Sequence, residues 1–218
     1  MGKRDEARQR TTAAIMAAAR REIAEEGAGG LSMRAIAREV GMVSSAVYRY
    51  FPTREALLTA MIIESYGNLA HALGQVSART PARRWARLAA ALRDWARSAP
   101  HEFQLIYGTP VPGYQAPPET VPAAAAVAAP FLKVGEYASV QGFRSRRLTS
   151  QMDALVDLVP GLQRSVAAAI LAELAALVGA VSLELAGHLV GSADPADHLF
   201  DALVERQVVT LGLSGQPS

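Results

Sequence analysis

The stretch Leu31–Ala56, reading LSMRAIAREVGMVSSAVYRYFPTREA, leaves few folds open. Ile36 and Val40 stand four apart, on one face of a short helix that begins at Ser32. Gly41 stops this helix, at a turn where a left-handed backbone is cheap only for glycine. Ser44 and Ser45 are good N-caps for a second short helix reaching Phe51. Pro52 ends it and Thr53 opens a third. Ala37 is small where the second helix has to cross, and Met42 and Val47 supply apolar contacts from beyond the turn.

Two short helices about a glycine turn make the helix-turn-helix plan. Its main use is to lay a helix in the major groove of DNA. Tyr48, Arg49 and Tyr50 stand near the exposed end of the second helix. Arg49 is the candidate for a base edge, because a guanidinium pairs bidentately with guanine. Ser44 and Ser45 are candidates for bases or phosphates, and Tyr48 and Tyr50 for phosphates. Arg34, Arg54 and Thr12 are further candidate phosphate contacts. On an average helix such residues are plain surface; their place in this motif favours contact. The first 60 residues carry ten Lys/Arg and seven Asp/Glu, the remainder twelve and thirteen. The basic excess therefore sits with the helix-turn-helix, as attraction to phosphate requires.

Residues 8–66 resemble the DNA-binding domain of TetR/AcrR-type transcriptional regulators. The matching pieces are Ile15 and Ala19, Glu26-Gly27, Leu31-Ser32-Met33-Arg34-Ala35-Ile36-Ala37, Gly41-Met42-Val43-Ser44, Val47-Tyr48-Arg49-Tyr50-Phe51 and Arg54-Glu55-Ala56-Leu57-Leu58. PHEFQLIYGTPVPGYQAP, from Pro100, resembles the C-terminal domain of a subset of these regulators. The resemblance implies an all-α protein: an N-terminal three-helix helix-turn-helix domain over 1–56, joined by a long helix to a helical effector-binding and dimerisation domain over 57–218. It also implies a homodimer on a palindromic double-stranded DNA operator, acting as a repressor that a small-molecule effector releases. A ligand-dependent activator and an architectural DNA-binding protein are the alternatives; some 150 residues of apolar helical chain argue against the second.

Half the residues are apolar and alanine is abundant, which suits helices. The spacing of apolar residues predicts helices over 10–26, 54–76, 83–99, 123–140 and 164–190, and a last one opened by Asp194-Pro195. Residues 1–9 are expected to fray, 212–218 to form a tail, and the five prolines of 108–122 to prevent regular structure. The start is charged rather than a secretory signal, and Glu173 and Glu184 interrupt the longest apolar region. A cytoplasmic protein without membrane contact is expected.

Met61, Tyr66, Trp95, Phe103, Tyr107, Tyr114 and Phe131 gather in sequence around the proline-rich loop and are the candidate lining of a ligand pocket. Ala176, Ala180, Leu183, Gly187, Phe200, Leu203 and Val204 are the candidate dimer interface, because a helix apolar all round must be covered on all sides. Ala176 with Ala180, and Gly187 with Gly191, are small pairs that allow a close crossing, and Glu184 with His188 form a pair one turn apart. No cofactor, metal site or enzyme activity is expected. Cysteine is absent, no two of the four histidines have metal-ligand spacing, and no nucleophile elbow or phosphate loop occurs.

Overall fold

A computed structural model describes Gly2–Gly215, and among these residues there are helices, turns and loops but no strand. The chain divides into two units. One runs to Ser65 and takes in His101–Thr120; the other holds Tyr66–Pro100 and the chain from Val121 onward.

The first unit is built on α1 (Lys3–Gly30), α2 (Met33–Glu39), α3 (Ser44–Val47) and the start of α4 (Arg54–Gly74). Helix α1 begins earlier than the sequence suggests. The Asp5 carboxylate accepts the Gly2 N–H at 3.3 Å, and Asp5 and Glu6 both lie in the first turn, where the helix dipole favours negative charge. Residues 3–9 are therefore helical rather than frayed. The regular helix breaks at Gly27, whose φ of 71° and ψ of 167° are not helical. Ile15, Ala18, Ala19 and Ile23 follow the helical repeat and are buried with Ile36, Ala37, Val47, Leu57, Leu58 and Met61. Each large aliphatic side chain so buried contributes roughly 1.5–3 kcal/mol.

Helix α6 (Pro100–Tyr107) and the loop after it return to this unit. Leu105, Val111 and Tyr114 pack on the same core, and the Tyr114 hydroxyl lies 2.9 Å from that of buried Thr59. Arg20 binds Glu64 at 2.6 Å and stands 3.8 Å from Glu102.

The second unit packs α5 (Pro81–Ser98), α7 (Val121–Val134), α10 (Arg164–Leu185) and α11 (Asp197–Thr210), with the short helices α8 (Arg146–Thr149) and α9 (Asp153–Val156) beside α10. Thr80 caps α5, accepting the Arg83 N–H at 3.3 Å, and Pro81 occupies the first position. The inner face of α5 is Trp85, Leu88, Ala89, Leu92 and Ala96. Trp85 meets Phe131 edge-on, with ring centroids 5.3 Å apart. Its Nε1–H donates to Gln207 Oε1 at 3.0 Å, and the Gln207 amide donates in turn to the Glu173 carbonyl at 2.8 Å. One fully buried glutamine thus joins α5, α10 and α11. Such a group is tolerated inside because both its ends are paired.

Several element ends differ from the sequence expectation; α7 ends at Val134 rather than 140 and α4 at Gly74 rather than 76. Helix α7 starts at Val121, with Pro122 in its first turn, where a missing N–H costs nothing. Helix α10 stops at Leu185 rather than 190. There the His188 N–H donates to the Leu183 carbonyl and the Gly187 N–H to the Glu184 carbonyl, both at 3.0 Å, with Gly187 at φ 74°. This left-handed cap makes Gly187 a helix stop, so Gly187 and Gly191 are not a packing pair on a helix. Helix α11 is capped by Ala196; the cis peptide Asp194–Pro195 lies before it, and neither residue opens the helix.

The expected tail also changes. Leu211 and Leu213 are buried, and the Leu211 carbonyl accepts the Ser139 N–H at 2.9 Å. Residues 216–218 of that tail lie outside the described residues. Helix α10 is long and apolar enough to cross a membrane, with a mean hydropathy of 2.2. Its buried residues, Val166 to Val181, face the other helices of this unit.

Candidate nucleic-acid interface

The reading element is set by how α2 ends. Ser32 Oγ accepts the Ala35 N–H at 3.3 Å and opens the helix. At the far end the Met42 N–H donates to the Ala37 carbonyl at 2.8 Å and the Gly41 N–H to the Arg38 carbonyl at 3.2 Å. Gly41 has φ 67°, the left-handed value this cap demands. Ala37 is buried at the crossing, as its small side chain suggested.

Helix α3 is capped by the backbone of Val43, and no side chain caps it. Ser44 and Ser45 occupy its first two positions, so the expectation that they are N-caps is corrected. Regular helix ends at Val47; single turns carry the chain on, with the Tyr50 N–H at 2.9 Å and the Phe51 N–H at 3.1 Å from the Val47 carbonyl. Ala46 and Val47 anchor the element in the core. Val43, Ser45, Tyr48 and Arg49 are exposed, Val43 at 70% and Tyr48 at 45%. Ser44 is half-buried. Tyr50 is also half-buried, packs on the core, and has the Arg8 guanidinium 5.2 Å from its ring centroid. Arg34 and Arg38 on α2 are exposed and, like Arg49, make no ion pair among the described residues. Arg38 is a candidate that the sequence reading passed over. The Thr12 hydroxyl donates to the Arg8 carbonyl at 3.0 Å.

Arg54 does something else. Its Nε–H donates to the Leu31 carbonyl at 2.9 Å, and its Nη2 to the carbonyls of Ala28 and Gly29 at 2.8 and 2.9 Å. The guanidinium holds the last residues of α1 and Leu31 after it instead of standing free for a phosphate. The phosphate contact expected of Arg54 gives way to this clasp. Carbonyls left unpaired where α1 breaks are natural acceptors for it.

The candidate pocket residues divide between the units. Met61, Phe103, Tyr107 and Tyr114 belong to the first, Tyr66, Trp95 and Phe131 to the second. Met61 is core, and Phe103 lies against Tyr107 with ring centroids 5.3 Å apart. Phe131 is fully buried against Trp85, and Trp95 is half-buried. Burial pushes the Tyr66 phenol above its ordinary pKa.

In the second unit, sequence reading also missed Arg93. It lies on the inner face of α5, eight residues after Trp85, and its side chain is only 9% exposed. Nε and Nη2 bind the two oxygens of Glu184 at 2.7 and 2.8 Å, and Nη1 binds Asp197 at 2.9 Å. The guanidinium also sits 4.9 Å from the Phe200 ring centroid. The Glu184 hydrogen bond drives the arginine pKa still higher, and the Arg93 hydrogen bond holds Asp197 below the usual carboxylate range. Glu184 is thus the partner of Arg93, not of His188.

Among the candidate interface residues, Phe200 and Val204 are buried within their own unit, so that assignment is corrected for both. Ala176, Ala180 and Leu203 are half-buried, Leu183 and Gly187 exposed. The large apolar side chains left open here are Leu171, Leu183, Val190, Leu199 and Val209.

The model of bacterial regulatory proteins of the tetR family matches residues 15–61, the segment holding this helix-turn-helix. The tetracyclin repressor-like C-terminal domain matches 85–207, more than half of the chain. The chain belongs to the TetR family. Among its relatives, the HTH-type transcriptional regulators Rv1816 of Mycobacterium tuberculosis and Mb1846 of Mycobacterium bovis are each 46% identical over 123 residues. Those residues are 55% of this chain and 53% of theirs, so the match spans about half the length of these curated relatives. The crystal structure of regulatory protein SCO4313 superposes with a TM-score of 0.81 at 32% identity, covering 95% of this chain and all of that one. A Rhodococcus sp. RHA1 protein of unknown function gives 0.68 at 25% identity, covering 92% and 94%.

Proposed function

We propose that this TetR-family protein is a DNA-binding transcriptional regulator, a repressor that binds a palindromic operator as a homodimer and releases it when a small molecule binds. The observation that carries this reading is α3 itself. Ala46 and Val47 are locked in the core, while Ser45, Tyr48 and Arg49 are exposed, as are Arg34 and Arg38 on the preceding helix. Arg49 reads a base edge; Arg34 and Arg38 hold phosphates; Ser44, Ser45, Tyr48, Tyr50 and Thr12 fix the position.

In this reading the DNA reader spans 1–56, and the chain from 57 binds the effector and the second subunit. Exposed Leu183, Leu199 and Val209, with half-buried Ala176, Ala180 and Leu203, support a helical dimer interface on α10 and α11. Two reading helices then meet half-sites about 34 Å apart. Of the candidate pocket residues, half-buried Tyr66 and Trp95 lie in the second unit and are the ones through which an effector acts there. An effector shifts the protein off DNA only by its differential affinity for the two states.

The test is selection of bound duplexes from a random pool with purified protein, followed by sequencing. A pseudo-palindromic motif is expected. Enrichment of single, unpaired half-sites would overturn the dimer, and no enrichment from ligand-free protein would overturn the DNA-binding reading.

A further inference from the structure

Between Glu64 and Asp94 the sequence has no acidic residue, yet it carries Arg79, Arg83, Arg84, Arg87 and Arg93. Arg93 is neutralised from outside this stretch, by Glu184 and Asp197. Arg79, Arg83 and Arg87 are not. They are exposed, make no ion pair among the described residues, and line a cleft of about 460 Å³ together with Ser77 and Ala78.

The local structure concentrates positive charge there. Arg83 and Arg87 stand four apart on α5, so their side chains share one face, and like charges at that spacing repel. Arg79 lies just before the Thr80 cap, on the side where the α5 dipole is positive. The Arg87 Nη1 donates to the Ser77 carbonyl at 2.5 Å, which holds its guanidinium over the loop rather than in open solvent. The Ser77 bond gives Arg87 a part in holding the loop, but no bond or ion pair among the described residues accounts for the charges of Arg79 and Arg83. A bound polyanion relieves the repulsion and uses the forked donors that distinguish arginine from lysine.

We propose that this cleft binds the phosphate groups of a small phosphorylated ligand, a diphosphate in size and charge. Guanidinium side chains of Arg79, Arg83 and Arg87 grip the oxygens, and the start of α5 adds its dipole. The site lies wholly within the second unit, and the proposal does not depend on the DNA-binding reading.

Inorganic pyrophosphate titrated calorimetrically into the full-length chain, at about 0.15 M salt, is the probe. One saturable site per chain is expected. Arg83→Ala/Arg87→Ala should weaken it about tenfold or more. Arg83→Lys/Arg87→Lys should give an intermediate affinity, with helical circular dichroism preserved in both variants. Arg146→Ala/Arg147→Ala removes the same charge elsewhere in the unit and should bind like the parent. Absent saturation, or equal binding in the Arg83→Ala/Arg87→Ala variant, overturns the site. Equal loss in the Arg146→Ala/Arg147→Ala control reduces it to general charge. Displacement of pyrophosphate by a scrambled DNA duplex assigns the cleft to nucleic-acid backbone and overturns the small-ligand proposal. Operator selection without pyrophosphate is scored separately, so failure here leaves the DNA reading intact.

Discussion

The Nε–H of Arg54 donates to the carbonyl oxygen of Leu31 at 2.9 Å, tying the first residue of α4 to the chain that enters the helix-turn-helix. Two more bonds, to Ala28 and Gly29, complete the clasp. Arg54→Ala should therefore lower stability by about 1–3 kcal/mol, measured by urea unfolding. The salt slope of DNA binding should remain parental, because no phosphate contact is lost; a slope reduced by about one would return Arg54 to the phosphate set.

Arg49 and Arg34 should separate in the opposite sense. Arg49→Ala is expected to cost about 1–3 kcal/mol of operator binding and to relax preference at one position of the site. Arg34→Ala should weaken operator and scrambled duplex alike and flatten the salt slope by about one. Fluorescence anisotropy across a salt series reads both, and indistinguishable variants would refute the division between base and phosphate roles.

Arg93→Met tests the pin in the second unit. The substitution leaves the Glu184 carboxylate, 17% exposed, without its bidentate partner. Breaking a buried pair from one side costs about 3–5 kcal/mol; partial exposure of Glu184 and the exposure of Asp197 favour the lower end. Urea unfolding with an unchanged m-value is the expected form. A change under about 1 kcal/mol would mean that solvent already screens the pair.

Acid should loosen the same pin. The folded-state pKa of Asp197 is depressed, chiefly by the Arg93 hydrogen bond. The unfolded carboxyl thus holds its proton to higher pH than the folded one. Stability from this group is complete above the ordinary carboxyl pKa, about 3.9, and is lost as pH falls below it toward the depressed value. Asp197→Asn should flatten the urea midpoint against pH in that window alone. Parallel parent and variant curves there would contradict the linkage.

On α11, neighbouring apolar residues should behave oppositely. Val209 is 72% exposed, so Val209→Glu should leave folding intact and, in light scattering, shift the proposed dimer toward monomer. Phe200 is buried under Arg93, so Phe200→Ala should cost about 3–5 kcal/mol of stability. A dimeric Val209→Glu protein at micromolar concentration would argue that a different surface joins the subunits.

Helix identities were legible because apolar spacing along a helix is local. Ile15, Ala19 and Ile23, or Leu88 and Leu92, announce a buried face without reference to the rest of the chain. Gly41 announced its turn for the same reason. Direction in space was not legible. Phe200 and Val209 are equally apolar letters, and only the position of Arg93 and the other helices separates inside from outside. Arg54 next to an N-cap looks like a phosphate ligand until the carbonyls of residues 28–31 are known to lie within reach. Nothing local marks Gln207 and Arg93 as buried, because their partners stand 122 and 91 residues away.

Leu105, Val111 and Tyr114 rest on the core formed by Ile15, Ile36, Val47 and Leu57. That arrangement bears on how regulators of this kind can be recombined. A chimera that takes only the first 65 residues transplants a reader without the segment that roofs it, and exposes Thr59 and the apolar atoms beneath. Grafting two pieces of chain, the N-terminal run and the interval from His101 to Thr120, keeps the module whole. Specificity exchange in this protein is therefore a two-segment operation, although the proposed DNA contacts all lie between Thr12 and Tyr50.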